Sequence, residues 1–560
     1  QNSGVDGNRS EIIVYGSLSA VGTSSDSIVF KTSRGTPGAG DWHSLQVRGN
    51  YSGNTEVSHC RFSGYNSALY LDLYSSSFGS NTSSQNEVDS VIVEHSVFSS
   101  SGSLALYMAG NSVQGNQFTY QYNTVESQDI FSGNSYAGRV NPYSVGIDIK
   151  NNLFKPGGQY DSFKSIYIDN PFANNAYNMD TLSIDISNNI VEALGSMHYD
   201  ASAMINIWMS PVVENAWNNP NYSDAPVHRV TIKNNILNGR NQGNTSGLYF
   251  YGTNTSNTDL DFFSDISGNE ITNMNVGWRT VMTLSNVDGR ISGNTVQNSS
   301  TSGSVLSVSG VMDIVSNVID TSNGVAISIS NSFLGRLDSN TITNHSRGIS
   351  ISGGFANPCT TAIRYNNITN NNQGIYISDY AQPTIHYNDI FGSNNQTGIY
   401  CDMASSSYEE VDARFNYWGE TTTAEMSAGG NPKNIASIYD QYDDAIKGFV
   451  NYGNFLNGDV AIPPSVPQNV RAYAANVDSD LSVTLYWNGV NAGDLKRYNI
   501  YRGTSPTNIS IYDSVVTNTS ENITYLDPSF AGTSTLPNLT YYYRITAQDQ
   551  FNNESSYSTT

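Results

Sequence analysis

The chain has 560 residues, 38% of them hydrophobic and only 13% charged, which is enough apolar side chain for a long core. Lys and Arg number 25 against 48 Asp and Glu, and the resulting net charge of −23 repels nucleic acid, anionic lipid and other polyanions at long range. No run of about 18 apolar residues occurs, so no membrane span is expected.

The opening QNSGVDGNRS carries neither a basic n-region nor an apolar h-region, so any export signal has been removed or lies outside this stretch. The polar residues are mostly Asn, Ser, Thr, Gly and Tyr, the surface of an exported β-protein, and an extracellular or cell-surface location is expected. Cys60, Cys359 and Cys401 are too few and too scattered for a disulfide framework or a zinc site. They read as buried small hydrophobes, with a Cys359–Cys401 bridge as the alternative.

Along the chain an Asn-x-apolar phrase recurs. Upstream it is QGNQF (Asn116), KNNLF (Asn151), SNNIV (Asn188) and KNNIL (Asn234), separated by long insertions. Downstream it tightens to Asn269, Asn294, Asn317, Asn340, Asn366, Asn388 and Asn416. A second phrase, Gly followed by alternating apolar residues, reads GVAISIS, GISISGG, GIYISDY and GIYCDMA from Gly324, Gly348, Gly374 and Gly398, at steps of 24, 26 and 24. That period fits one coil of a parallel β-solenoid. Strict alternation makes the phrases strands, with Val325, Ile327, Ile329, Ile349, Ile351, Ile375, Ile377, Ile399 and Cys401 directed inward. Asn suits the corners, since it accepts left-handed backbone and its amide can bond main chain or the Asn of the next coil.

These strands and corners resemble the right-handed parallel β-helix repeat proteins of the pectin-lyase-like fold over roughly residues 10–450. EIIVYGSLSAVGTSSDSIVFKTSRGTPGAGDWHSLQVRG (11–49), with its Gly40-Asp41-Trp42 phrase, resembles the opening coils of secreted bacterial members, and NYWG (416–419) resembles a closing phrase. The fold class expected is all-β: a right-handed parallel β-helix over 1–457, a Pro-rich linker at 458–466, and a β-sandwich over 467–560. For the last, SVTLYW, RYNIYR, ITYLD and LPNLTYYYRITAQD resemble a fibronectin type III domain. The resemblance implies Trp487 as the plug between its sheets and Tyr541 as its tyrosine corner. Compared with these families both ends look cut, the sandwich lacking its last strand, and unpaired β-edges invite head-to-tail self-association into a filament.

Catalytic signatures of the fold are thin. Asn257-Thr258-Asp259 and Asp443-Asp444 exist but lie far apart, and neither His-Gly nor Arg-Ile-Lys occurs. Lys150, Lys164, Arg347 and Arg364 do not stack in the repeat register, and His198-Tyr199-Asp200 sits in a long insertion. No catalytic or metal residue is assigned. No cofactor is expected, though structural calcium would be compatible with the fold.

The outward face carries a second pattern. Alternation sends Tyr70, Tyr107, Tyr167, Tyr249, Tyr251, Tyr376 and Tyr400 to solvent, with Asp72, Asp169 and Asp402 beside them. Two readings stay open: cross-coil stacking of β-prone tyrosine, or a glycan platform of rings and polar neighbours. Asp-Ser/Thr-apolar triplets at Ser27, Ser90, Thr181 and Ser514 resemble a bacterial O-glycosylation signal. The function expected is an exported bacterial structural or adhesive protein, such as the subunit of a filament, with glycan as contact or decoration. The alternative is a polysaccharide lyase or glycoside hydrolase of the same fold.

Overall fold

The structure, a computed structural model, describes residues 10–36, 38, 40–48, 54–72, 90–99, 104–109, 117–126, 132–134, 145–156, 165–169, 182–195, 203–208, 228–252, 262–320, 323–392, 397–403, 410–456, 463–477, 480–490, 495–506, 508–516, 523–530, 539–549 and 553–559. The period-2 phrases become short strands. Each coil gives one strand to each of three parallel sheets, of 15, 15 and 13 strands. The GIYIS-type strands, such as Gln373–Asp379 and Thr397–Cys401, form the first sheet. Strands preceding the Asn corner, such as Thr384–His386, form the second, and strands following it, such as Asp389–Phe391, form the third. The result is a parallel β-solenoid with one continuous core from Ala20 to Tyr452.

Inside, like stands over like. Ile327, Ile349, Ile375, Ile399 and Ile438 form one rung-to-rung file, and Ile329, Ile351, Ile377 and Cys401 a second. Val325 departs from its expected inward place. It stands opposite Arg347 on the outer side, and Ala326 fills the interior, because GVAISIS carries two more residues between its Gly and the first Ile of its core file than GISISGG does. Gly348 and Gly374 sit where adjacent coils approach backbone to backbone: a Cβ at either would lie 2.6 or 2.5 Å from the carbonyl oxygen of the glycine one coil on.

The corner between the second and third sheets holds a buried ladder. Asn123, Asn152, Asn189, Asn235, Asn269, Asn294, Asn317, Asn340, Asn366, Asn388 and Asn416 lie one above another. Each Oδ1 accepts both the backbone N–H and the Nδ2 of the preceding ladder residue. For Asn340 as acceptor, Asn317 N and Nδ2 both lie at 3.0 Å, while Asn317 Nδ2 also donates to Ile291 O at 3.0 Å. Ser96 carries the ladder one coil further toward Cys60.

Upstream, the expected ladder positions are one residue early. Asn151, Asn188 and Asn234 occupy the left-handed residue before the ladder, at φ 57, 57 and 53°, and Asn152, Asn189 and Asn235 carry the amide inward. An Asn-Asn pair satisfies both positions by composition, and only the buried hydrogen bonds distinguish them. Asn116 lies outside the described residues; the corresponding corner uses Tyr122 and Asn123. The left-handed position also takes His59, His95, Tyr365, Tyr387 and Phe415, whose rings stack on the outside at 4.9–5.6 Å.

All three cysteines are buried thiols, so no Cys359–Cys401 bridge forms, and burial pushes Cys359 and Cys401 up to about 11. After Trp418, a helix at Gly419–Ser427 packs Met426 against the core.

The second unit is a sandwich of two three-stranded antiparallel sheets. One contains Gln468–Val477, Asp480–Asn488 and Ile523–Leu526; the other Asn508–Val515, Leu495–Ser505 and Tyr542–Asp549. Trp487 is buried between them against Tyr498. Tyr541 packs edge-on to Phe530, and the buried hydroxyl that ties Tyr542–Asp549 to the opposite sheet's loop is that of Tyr543, donating to Asp527 at 2.7 Å. Residues 553–559 run beside Tyr542–Asp549, with Ser555 N and Ser558 N donating to Ala547 O and Ile545 O. Pro463, Pro464, Val466 and Pro467 are buried, so the expected linker is packed over much of its described length.

Candidate functional site on the first sheet

The strand register puts the tyrosines in one file. One register file of the first sheet runs through Gln46, Tyr70, Tyr107, Ser132, Tyr167, Asn206, Tyr249, Thr283, Ser307, Ser328, Ser350, Tyr376, Tyr400 and Tyr439, each paired with the next. Tyr70, Tyr167, Tyr249, Tyr376 and Tyr400 are half-buried there. Tyr251 belongs to the neighbouring file, with Asp72 and Asp169. Tyr107, Asp72 and Asp169 hold strand positions, but their side chains lie outside the described residues.

Two aromatic groups emerge. In the first, Tyr376 stacks on Tyr400 at 5.6 Å and Tyr400 on Tyr439 at 4.3 Å. Arg347 closes the other end, its guanidinium 3.7 Å from the Tyr376 ring centre and its Nε donating to Gln373 at 2.8 Å. The Tyr376 hydroxyl donates to Asp402 Oδ2 at 2.5 Å, and Lys447 Nζ donates to Asp402 Oδ1. Burial and then the Asp402 carboxylate push the Tyr376 phenol up to about 12. The Lys447 ammonium and the phenol hold Asp402 below the usual carboxylate range, and Asp402 in turn raises Lys447. In the second group, Trp208 stacks on Tyr251 at 4.8 Å and on Tyr249 at 6.1 Å, with 39% of its own surface exposed.

The geometry limits the chemistry. Rings stacked along the solenoid axis cover one another's faces, so between Arg347 and Tyr439 the surface presents ring edges and hydroxyls, not open faces. At neutral pH Tyr376 is a protonated phenol and Asp402 an ion-paired acceptor, so neither is poised as a general base. The second sheet shows the same economy: Lys150 bridges Asp148 and Asp185 at 2.9 and 2.8 Å, Lys233 pairs with Asp265, Arg336 with Asp313 and Asp338, Arg364 with Asp338, and Arg414 with Asp412. Asp443 and Asp444 cap a turn, accepting from Asp440 N and Ile446 N. Asn257–Asp259, Lys164 and His198–Asp200 lie outside the described residues. Among the described residues no three of His, Cys, Asp and Glu meet as a metal-binding group.

Ser90 donates to Asn54 Oδ1 at 3.1 Å from a strand; Ser27 and Ser514 are half-buried, and Thr181 lies outside the described residues. Sequence reasoning missed Arg347, Trp208, Tyr439 and Lys447 as members of the site. Tyr439 was detectable as a further aromatic in file, but Lys447 reaches Asp402 across 45 residues of non-repeating chain.

Tyr376→Phe is expected to test the ion-pair cluster. The phenol's raised value makes its contribution complete below the unfolded phenol value, near 10, and removes it as pH climbs toward 12. Wild type should therefore lose stability over that alkaline interval more steeply than Tyr376→Phe, read as denaturant midpoints against pH; parallel profiles would remove the assigned coupling.

Comparison with models of known protein families, with curated proteins and with solved structures yields no match. Function therefore has to be argued from the site itself.

Proposed function

We propose that the protein is an exported structural or adhesive protein of a bacterial surface. On this reading the solenoid is a right-handed one of the pectin-lyase-like kind, the sandwich is a fibronectin type III-like module, and carbohydrate is the contact or decoration. The observation that carries it is the outward file of the first sheet, where Tyr376, Tyr400 and Tyr439 stack on one another under Arg347 and where Asp402, bonded to the Tyr376 hydroxyl, is ion-paired. Such a face stiffens a rod and offers hydroxyls and ring edges to a neutral polymer.

Head-to-tail self-association belongs to the same reading, because Ile12–Tyr15 and Ile438–Tyr439 are the edge strands of the described first sheet. Electron microscopy of the purified chain together with pull-down on neutral polysaccharides tests it. Filaments, or binding without depolymerisation and weakened by Trp208→Ala, are expected. Isolated rods that neither bind nor assemble would sink it.

The second reading, a polysaccharide lyase or glycoside hydrolase, is favoured only by the Arg347, Tyr376, Asp402 and Lys447 cluster, in which cations sit beside a phenol. Release of unsaturated or reducing ends from a polysaccharide, abolished by Tyr376→Phe, would establish it.

A further inference from the structure

The second sheet carries a file of alternating charge: Asp265, Arg290, Asp313 and Arg336 stand opposite one another on successive coils. Both carboxylates flanking Arg290 already hold another cation, Asp265 with Lys233 at 2.6 Å and Asp313 with Arg336 at 3.1 Å. Arg290 therefore shares both of its neighbouring carboxylates with other cations. Its Nε is buried without a hydrogen-bond partner, and burial, the largest influence on it, lowers its guanidinium from the ordinary value.

Arg290 and Arg336 form one wall of a pocket of about 550 Å³. The other wall comes from the sandwich: Arg544 and the hydroxyl-bearing run from Ser555 to Thr559. Ser555 and Ser558 hydroxyls fix this run in place by accepting from Ala547 N and Ile545 N, both at 2.9 Å. Arg544 lies over the Tyr557 ring, 5.5 Å from its centre. Among the described residues no carboxylate lines the pocket. In a chain with 48 acids and 25 basic residues, a wall set of three arginines and hydroxyls is a local reversal of the molecule's charge.

We propose that this pocket binds an oxyanion carried on a small hydroxylated molecule, with a sugar acid as the class that fits. Planar guanidinium groups match carboxylate and sulfate geometry. The volume falls in the range of small-molecule sites, about 300–1,000 Å³, and leaves room beyond the anionic group for a ring whose hydroxyls meet the Ser, Thr and Tyr side chains. An anion here also adds an acceptor beside the half-buried Arg290, whose Nε has no hydrogen-bond partner. Because one wall belongs to the solenoid and the other to the sandwich, the bound anion ties the two units together. The site lies on the second sheet, apart from the tyrosine file, and does not rest on the surface role proposed above.

Calorimetric titration of the whole chain with glucuronate, inorganic sulfate and glucose tests it. Glucuronate should bind, glucose should not, and Arg290→Gln and Arg544→Gln should each weaken glucuronate about tenfold or more. The two substitutions lie in different units, so misfolding of one, seen by circular dichroism, leaves the other as the test. No glucuronate binding, glucose binding as tight as glucuronate, or binding indifferent to both arginines would overturn the proposal. Sulfate binding tighter than glucuronate would overturn the sugar-acid assignment.

Discussion

Asn317→Ala is expected to destabilise the solenoid by about 3–5 kcal/mol, because truncation strands two buried donors and also removes a donor from buried carbonyls. In the wild type, Asn317 Oδ1 accepts from Asn294 N at 3.0 Å and from Asn294 Nδ2 at 2.9 Å, while its own Nδ2 reaches Ile291 O and Val315 O. Water cannot replace these partners, since Asn317 is 2% exposed and its ladder neighbours less still. Solenoid stability is a sum over neighbouring coils, so the loss should be local first. Hydrogen exchange should speed up most at Asn294 and at the amides of the two flanking coils. The contrast is Ser316→Gly, one residue earlier in the same corner. Ser316 holds φ 55°, which glycine adopts without a Cβ penalty, so a change of under about 1 kcal/mol is expected. Equal effects at both positions would mean that the ladder's amides are not what holds the corner.

That contrast also explains what could be read in advance. Strand existence was legible, since alternation and a 24- to 26-residue step leave few architectures in which GISIS and GIYIS can bury the same face. Corner register was legible where a single Asn stands at the corner, as at Asn317 or Asn388, and slipped by one at the pairs beginning Asn151, Asn188 and Asn234, where composition is the same in either frame, though not at Asn366-Asn367. Val325 failed for a related reason: counting from the glycine assumes that every coil enters its core strand at the same residue. The tyrosine file was visible as outward aromatics, and stacking of Tyr376 on Tyr400, one regular coil apart, was among the open readings, but the continuation to Tyr439 depends on register across non-repeating chain. Trp208 hid in AMINIW because its alternation advertises Ile205 and Ile207 first. The arginine pocket had no sequence signal, since Arg290 and Arg544 meet only through the packing of the sandwich on the second sheet.

Asp527→Ala is expected to unfold the sandwich selectively while leaving the solenoid intact. Its side chain is fully buried and holds Arg502 at 2.8 Å, the Tyr512 and Tyr543 hydroxyls at 2.8 and 2.7 Å, and Ser529 N at 2.9 Å. Arg502 in turn lies 3.7 Å from the Tyr512 ring centre, so the carboxylate organises a charged and aromatic cluster at one end of the domain. Removing one member of a buried ion pair costs about 3–5 kcal/mol. A domain of this size has only about 5–15 kcal/mol in total. The sandwich transition should drop by about 15 °C or more in differential scanning calorimetry, against an unmoved solenoid transition. The pH dependence follows from the same contacts. Burial, the largest influence, pushes the Asp527 carboxyl up, but donors from Tyr543, Ser529 and Tyr512 together hold it below its ordinary value. A depressed carboxylate contributes its stability above the unfolded value near 3.9 and loses it as pH falls through the folded value. Tyr543 is shifted the opposite way, raised by burial and then by Asp527, so its contribution is complete below the unfolded phenol value near 10 and is lost above it. The wild-type sandwich should therefore show a stability plateau bounded on both sides, and Asp527→Asn should flatten the acid flank and lessen the alkaline one, where burial still keeps Tyr543 raised. Flattening of only the acid flank would mean that Tyr543 is held by packing and not by the carboxylate.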